Sequence, residues 1–288
     1  MARIYISIYN GIGNQLFSYA LGLYLSKKYH RQLILDLSKL TMINFLSGIK
    51  LKKDTIRNFE IDKIGFTDPV VKFNYLQFMR KQNWIHENKK LFFDFRKNHF
   101  DLIKVNSNAD LYCTGWGDFN LVKEILPEMR AKFSPNFKIT KNFEATRKLI
   151  REKNSVAIHF RRTDFLDPKV SEYAIGISND KYYQNAIQLI NKKVENPFYI
   201  LFSDDIDYVK ENFKIENCYV VEGNTGYEDL YLMSLCKHFI LANSTFSFWA
   251  AIFNDKNDKV VCVPEYWYNA PLRQADFIPE EWTEIAIM

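Results

Sequence analysis

Two adjacent arginines, Arg161 and Arg162, directly follow an apolar run that is typical of a buried strand. Guanidinium groups bind phosphate oxygens in pairs, so arginines at a strand end could clamp a diphosphate. Because neighbouring side chains of a strand point to opposite sides, we expect only one arginine to face a ligand, on the side that it shares with His159. The other would pair with Asp164 or with a second domain. A purely structural ion pair at the strand end is the alternative.

A second polar group, Asn243 to Ser247, lies between a predicted strand and a predicted helix. Backbone N–H groups at the start of a helix attract anions, and the hydroxyl groups of Ser244, Thr245 and Ser247 add further donors. Ordinary capping of the helix by Asn243 or Ser244 would explain the same residues without any ligand. The segment therefore predicts either an anion site or a helix cap.

Two weaker signals also come directly after predicted strands. Gly11 to Gln15 form a glycine turn with two amides, but they lack the third glycine of the dinucleotide motif and the lysine of a P-loop. Asp204 and Asp205 follow another apolar run. A carboxylate there can accept both N1–H and N2–H of guanine, or it can cap the next helix. Because the two aspartates are adjacent and not spaced as in a DxD motif, they do not predict a metal site.

Alternating strands and helices position these segments. The first half predicts strands at 3–9, 33–35 and 111–116 and helices at 14–29, 70–86 and 140–152. The second half predicts strands at 155–160, 198–202, 219–221, 238–242 and 259–263 and helices at 180–192, 206–212, 225–236 and 244–254. This alternation is typical of an α/β fold, with a doubly wound parallel sheet in the second half that binds ligands at its carboxyl edge. We expect a domain boundary at 153/154.

Composition excludes several classes. The chain has 288 residues and a net charge of +5, with its basic residues scattered, so it does not resemble a nucleic-acid-binding protein. The four cysteines show no CxxC spacing, which argues against zinc and for a reducing compartment. The start lacks a signal-peptide pattern, and the most apolar stretch, 239–253, is too short and polar to span a bilayer. We expect a cytoplasmic protein with at most peripheral contact at the inner face of the membrane.

Three segments together resemble one family: GIGNQLFSYALG, HFRRTD and EDLYLMSLCKHFILANSTFSFWAA. They strongly resemble the glycosyltransferase family 11 α-1,2-fucosyltransferases of bacterial type, in the family's order, over about residues 4–264. The resemblance implies a GT-B-like architecture of two Rossmann-like domains. Residues 1–153 would form the acceptor side, and residues 154–288 would bind the nucleotide of GDP-β-L-fucose. It also implies inversion at the anomeric carbon and no metal cofactor.

The resemblance also implies roles for individual residues. Arg161 would hold the β-phosphate, supported by Arg162 and Asp164, and Asn14 would reach the donor from the first domain. His159 and either Asp204 or Asp205 would lie at the guanine end. Thr163 stands where many bacterial members have glycine, which we expect to affect loop shape only. The remaining donor-binding residues would be Gly13, Gln15, Ser244, Thr245, Phe246 and Ser247.

The catalytic base and the acceptor site are less defined. Asp167 and Glu172 are candidate bases because related enzymes place a carboxylate downstream of their arginines, and Asp36 and Asp118 are alternatives. The family implies a galactose 2-hydroxyl as the acceptor, on a lipopolysaccharide or related glycan precursor. A transferase for another nucleotide sugar, or one that makes another fucosyl linkage, is the main alternative; a non-catalytic binding module and a dehydrogenase fit less well. The acceptor cleft would be built from residues 37–120, where Trp84, Phe92, Phe93, Tyr112 and Trp116 offer rings.

Overall fold

The computed structural model describes residues 2–49, 56–72, 110–115, 119–162, 179–269, 272–273, 275 and 277–287. The chain divides into two compact units, residues 1–136 and residues 137–288. The helix that precedes the predicted boundary at 153/154 therefore belongs, by its packing, to the second unit. The assignment of the acceptor to one part and of the nucleotide to the other stays a prediction.

The first unit contains a parallel sheet with helices between its strands. Its elements are β1 (Arg3–Ser7), α1 (Ile12–Tyr29), β2 (Gln32–Asp36), α2 (Ser38–Gly48), a 3₁₀ turn (Ile61–Ile64), β3 (Val70–Val71), β4 (Leu111–Cys113) and α3 (Phe119–Lys132). Among the described residues the strand order is β3-β2-β1-β4, and every pair in it is parallel.

Helix α1 packs directly on this sheet because Gly22 presents no side chain to it. A Cβ atom at Gly22 would lie 2.7 Å from Leu33 Cδ1 and 2.8 Å from Ile6 Cγ2. Ile6 and Leu33 belong to β1 and β2 and are almost fully buried. This close contact fixes α1, and with it the Gly11 turn at its start, against the first two strands.

The second unit contains a larger parallel sheet. Its helices are α4 (Lys141–Glu152), α5 (Asp180–Lys193), α6 (Ile206–Asn212), α7 (Gly226–Ser234) and α8 (Thr245–Phe253). Its strands are β5 (Asn154–Phe160), β6 (Pro197–Ser203), β7 (Cys218–Val220), β8 (His238–Ile240), β9 (Val261–Pro264) and β12 (Thr283–Ile285), with a small antiparallel pair formed by β10 (Tyr268–Asn269) and β11 (Leu272–Arg273).

The order of the described strands in the large sheet is β7-β6-β5-β8-β9-β12, all parallel. In chain order this is 3-2-1-4-5-6, the order of the Rossmann fold. The predicted α/β fold with two Rossmann-like parallel units is therefore confirmed. In such a sheet the order reverses beside the first strand, here between β5 and β8, and that reversal opens a crevice at the carboxyl edge.

Two buried tyrosines of α5 hold the centre of this sheet. The Tyr182 hydroxyl donates to the carbonyl oxygens of Leu241 (2.5 Å) and Cys262 (3.2 Å). The Tyr183 hydroxyl donates to the carbonyl oxygen of His159 at 2.8 Å. These bonds satisfy backbone acceptors of β5, of β9 and of the residue that follows β8. Helix α5 is thereby fixed against the sheet close to the edge that carries the polar segments.

Most predicted elements are confirmed. Val70–Val71 form a strand, so the helix predicted over 70–86 is wrong at its start, and residues 73–86 lie outside the described ranges. The sequence did not predict α2, the 3₁₀ turn, α3, the β10–β11 pair or β12. Within the described chain, no helix combines the length and apolar character needed to cross a bilayer.

Candidate nucleotide-binding site

The strand reversal of the second unit brings two of the polar segments together. Strands β5 and β8 are direct neighbours, with Ile158 opposite Ile240, so the segments that follow them share one edge. The His159 ring lies 5.2 Å from the Phe246 ring, centroid to centroid, and His159 is only 4% exposed. The arginine segment after β5 and the hydroxyl-rich segment after β8 therefore meet at the crevice, as their strand-end positions predicted.

Arg161 is paired across the sheet with the end of β6. Its Nη1 lies 3.1 Å from Oδ2 of Asp204, and each of these side chains is 21% exposed. The other oxygen of the same carboxylate, Oδ1, accepts the backbone N–H of Arg162 at 2.8 Å. The parallel register, with Phe160 opposite Ser203, places the two strand ends side by side and makes this arrangement possible.

The side chain of Arg162 is held by an ion pair and by an aromatic ring. Its Nε lies 3.2 Å from Oδ2 of Asp205, and its guanidinium lies 3.3 Å from the centroid of the Tyr208 ring. Asp205 also caps α6, since its Oδ1 accepts the backbone N–H of Tyr208 at 3.2 Å. The two arginines thus pair with different aspartates, and which arginine faces a ligand stays a prediction. Among the described residues Arg162 pairs with Asp205; Asp164, the other expected partner, lies outside those residues.

The start of α8 supplies the anion-attracting part of the edge. Ser244 is the N-cap, and its Oγ accepts the backbone N–H of Phe246 at 3.3 Å. Ser247 is fully buried, and its hydroxyl donates to the carbonyl oxygens of Ala242 (3.4 Å) and Ser244 (3.3 Å). Ser244, Thr245 and Phe246 are half-buried and lie nearer to solvent. A helix start of this kind carries a partial positive charge, which favours an anion beside it.

Asn243 fixes the same segment from inside the unit. It is 5% exposed, and its Nδ2 donates to the carbonyl oxygen of Trp267 at 3.3 Å, while no described residue hydrogen-bonds to its Oδ1. The capping alternative for this region is therefore partly correct, because Ser244 does cap α8. Capping and anion binding are compatible, since the cap uses one N–H group of the first turn.

In the first unit, the side chain of Gln15 forms hydrogen bonds with backbone groups. Its Nε2 donates to the carbonyl oxygens of Asn10 (2.9 Å) and Asn58 (2.6 Å), and its Oε1 accepts the backbone N–H of Glu60 at 3.1 Å. Because Gln15 is fully buried, these bonds hold two loops together at the carboxyl edge of β1. Gly13 is buried inside α1, and Asn14 is half-buried at its start.

Two other predicted residues of this unit have structural contacts. Oδ1 of Asp36 accepts the backbone N–H (2.9 Å) and the hydroxyl (2.5 Å) of Ser38 at the start of α2. The Tyr112 ring stacks on the Tyr5 ring at 4.5 Å, with an angle of 9° between the planes. Asp36 is therefore engaged in a helix start, and Tyr112 in a ring pair on the sheet.

Burial shifts the pKa of two carboxyl groups that sequence reasoning did not single out. Burial raises the pKa of Asp229 to about 7, although a hydrogen bond from Asn224 Nδ2 (3.1 Å) acts in the opposite direction. Burial also raises the pKa of Glu60, against the charge of nearby Arg57. In the sequence, Asp229 looks like an ordinary acidic residue in the first turn of a helix, so only the three-dimensional packing reveals it.

The rest of the predicted site lies outside the described ranges, so its placement stays a prediction. Within those ranges, no three His, Cys, Asp or Glu side chains are grouped so that they could hold a metal ion. The predicted residues outside the described ranges are Trp84, Phe92, Phe93, Trp116, Asp118, Thr163, Asp164, Asp167 and Glu172.

Comparison with known proteins places the chain in a family. The sequence profile of glycosyl transferase family 11 matches residues 4–286, which is nearly the whole chain. The chain belongs to glycosyl transferase family 11. Sequence identity to individual relatives is about 28%, and for some of them the alignment covers nearly the whole length.

Two relatives of this family 11 chain come from Escherichia coli. An alpha-1,2-colitosyltransferase is 28% identical, and the alignment covers 99% of both chains. The O-antigen biosynthesis glycosyltransferase WbnK is also 28% identical, with 92% of this chain and 95% of WbnK covered. A galactoside alpha-(1,2)-fucosyltransferase 1 from Ateles belzebuth is 28% identical over 106 residues, which are 35% of this chain and 29% of that protein.

Proposed function

We propose that this protein transfers L-fucose from GDP-β-L-fucose to the 2-hydroxyl of a galactoside acceptor, with inversion, during the synthesis of a cell-surface glycan such as O-antigen. The observation that carries the proposal is the contact between the His159 ring at the end of β5 and the Phe246 ring at the start of α8, which brings the segment with Arg161 to the strand reversal of a Rossmann sheet. The family 11 relatives support the class of reaction, because their names include an α-1,2-fucosyltransferase for galactosides and a transferase of O-antigen biosynthesis.

The chemistry of this reaction fits the charges at the edge. When the glycosidic bond to fucose breaks, GDP leaves and its β-phosphate gains negative charge. A guanidinium and a helix start that point at this group stabilise the developing charge without any reorganisation, as a metal ion would. We therefore propose a metal-independent enzyme in which Arg161 binds the β-phosphate, while Ser244, Thr245 and Phe246 line the phosphate and the nucleoside.

Other residues of the site have supporting tasks in this proposal. Arg162 and Asp205 stabilise the strand end, as their contacts indicate. His159 lies beside the Phe246 ring, where it borders the nucleoside. Asn14, Gly13 and Gln15 stay proposed donor-binding residues, as the resemblance to the family implies, and Gln15 fixes the loops beside the Gly11 turn. The buried Ser247 contributes through the backbone of the first turn of α8.

The acceptor hydroxyl must lose a proton during transfer. Asp164 and the candidate bases Asp167 and Glu172 follow the arginines in the chain, so we place the proton acceptor in this segment. A carboxylate in hydrogen-bonding reach of the hydroxyl would speed the step as a general base.

We further propose a cytoplasmic enzyme with at most peripheral membrane contact, because bacterial glycan assembly uses nucleotide sugars in the cytoplasm.

A second candidate differs only in the sugar. The alpha-1,2-colitosyltransferase aligns with this chain over 99% of both lengths, whereas the galactoside alpha-(1,2)-fucosyltransferase aligns over 35% of this chain. Transfer of colitose from its nucleotide derivative is therefore the alternative that the relatives favour. The phosphate-binding edge would be the same, and the difference would lie where the sugar binds.

Release of GDP tests both candidates. Purified protein is incubated with GDP-fucose or GDP-colitose, with and without β-galactosides, and in the presence of EDTA. GDP formed from GDP-fucose only with a galactoside, and unaffected by EDTA, supports the proposal, and linkage analysis of the product then checks the 2-position. Turnover confined to GDP-colitose would select the second candidate, and inhibition by EDTA would contradict metal independence.

A further inference from the structure

The carboxylate of Asp204 joins two consecutive residues of the neighbouring strand end. Its Oδ2 lies 3.1 Å from Nη1 of Arg161, and its Oδ1 accepts the backbone N–H of Arg162 at 2.8 Å. The two side chains are each 21% exposed, whereas Asp204 as a whole residue, backbone included, is exposed. One carboxylate thus fixes both the guanidinium of Arg161 and the backbone direction of the residue that follows it.

This arrangement competes with the role that the sequence indicated for Asp204. A carboxylate that reads guanine needs both oxygens, one for N1–H and one for N2–H of the base. In the structure each oxygen of Asp204 already binds a donor from the β5 end. Contact with guanine would therefore have to share both oxygens with these donors.

Fixing an arginine before the ligand arrives has a clear energetic benefit. An arginine side chain has many rotamers, and ordering it on binding lowers the affinity. The ion pair with Asp204 orders the Arg161 side chain when the protein folds. Nucleotide binding then does not carry this loss of conformational entropy. The neighbouring Arg162 is ordered in the same way by Asp205 and the Tyr208 ring, which shows that this edge uses carboxylates to fix guanidinium groups.

We propose that Asp204 is a positioning residue, which holds Arg161 in place for the β-phosphate of the nucleotide and does not read the base. The proposal rests on the proposed function, because it presumes a nucleoside diphosphate at this strand end. For Asp204 it replaces the sequence-based prediction that either Asp204 or Asp205 lies at the guanine end. Discrimination between purine bases is then the task of other residues.

Binding of three nucleotides separates the two roles. Calorimetric titration measures the Kd of GDP, of IDP, which lacks the 2-amino group of guanine, and of GMP, which lacks the β-phosphate. Asp204→Asn keeps the shape and an acceptor for the Arg162 N–H but removes the charge. We expect GDP and IDP to weaken by the same factor, about tenfold, and GMP to change much less. The matched control is Asp207→Asn, which removes one exposed charge from the first turn of α6.

Two results would overturn the proposal. If Asp204→Asn weakened GDP and GMP by the same factor and IDP by less, Asp204 would read the base. If none of the three dissociation constants changed relative to Asp207→Asn, Asp204 would have no influence on the phosphate site. An Asp204→Glu variant would support the positioning role if it recovered part of the GDP affinity and kept the ratio of the GDP and IDP dissociation constants of the unmutated protein.

A second measurement does not depend on the nucleotide. Urea unfolding of Arg161→Gln, Asp204→Asn and the double variant gives the coupling between the two side chains. We expect the effect of the double variant on the unfolding equilibrium constant to differ from the product of the two single effects by at least about threefold. Additive free-energy effects would show that the ion pair does not fix Arg161. If the unmutated protein bound no GDP, the proposed function would fail, while this coupling would still decide whether Asp204 fixes Arg161.

Discussion

Replacement of Arg161 by alanine is the sharpest test of the phosphate-binding edge. The side chain lies at the end of β5, at the strand reversal, and is 21% exposed. One charge-assisted hydrogen bond to a phosphate contributes about 1.5–3 kcal/mol, and removing one preorganised donor to a developing charge lowers kcat about 10²–10³-fold. Taking about 3 kcal/mol as the loss, and about 1.4 kcal/mol per factor of ten, kcat/KM should fall by about two orders of magnitude.

The fold should survive this change. The ion pair with Asp204 is lost, and a partly exposed pair of this kind contributes up to about 1 kcal/mol to stability. Circular dichroism and urea unfolding should therefore show a folded protein, while GDP release from GDP-fucose with a galactoside falls sharply. Arg161→Lys separates charge from geometry, since lysine keeps the charge but lacks the planar fork of donors.

A matched control uses another arginine of the chain. Arg3 forms an ion pair with Asp110 in the first unit, with 3.4 Å between Nη2 and Oδ2. Arg3→Ala removes the same side chain from an exposed pair and should leave kcat/KM within about twofold, because surface pairs contribute little. The reasoning would be refuted if Arg161→Ala kept kcat/KM within about threefold of the unmutated protein, or if Arg3→Ala lost as much activity as Arg161→Ala.

Three further predictions concern the scaffold. Gly22→Ala should lower the free energy of unfolding by about 1–3 kcal/mol, because its Cβ would overlap Ile6 and Leu33; Gly48→Ala, whose Cβ meets nothing within 4 Å, is the control in urea unfolding. Tyr182→Phe removes a buried hydroxyl from two carbonyl groups and should cost about 1–3 kcal/mol in the same assay, with unchanged stability contradicting those bonds. Burial raises the pKa of Asp229 to about 7, so the folded protein keeps a proton that the unfolded chain has released above about pH 4, and this group lowers stability as the pH rises between these values. Asp229→Asn should flatten that part of the stability profile and raise stability at pH 8 by on the order of 2 kcal/mol, whereas an unchanged profile would refute the shift.

The second unit was the more predictable part of the fold because its strands β5 and β6 are long and apolar. Strand β5 has six buried residues in succession, which is the pattern of a strand covered on both faces. Two elements gave weaker signals. Helix α3 of the first unit contains Pro127 in its interior, which sequence rules treat as a helix breaker, and β12 of the second unit is a short strand with Glu284 at its centre. Tertiary packing overrides local preference in both.

The positions of the site residues were predictable, whereas their partners were not. Apolar runs followed by arginines or aspartates indicate strand ends, and strand ends of one parallel sheet lie at one edge. Which carboxylate meets which arginine depends on the register between β5 and β6, with Phe160 opposite Ser203. One sequence does not contain that register in readable form, so the contacts of Arg161 with Asp204 and of Arg162 with Asp205 were not predicted.

The two units repeat one arrangement with different chemistry, and this bears on the reaction. In each, the described strand order begins 3-2-1-4, and the segment after the first strand lies beside the strand reversal: the Gly11 turn after β1 and Arg161 after β5. Gly11 has an extended φ of −72°, and a Cβ there would meet nothing within 4 Å among the described residues, so neither backbone conformation nor the described packing requires a glycine. Under the proposed function, the charge that the second unit carries at this position would stabilise a departing diphosphate, whereas the uncharged Gly11 turn would suit a neutral sugar.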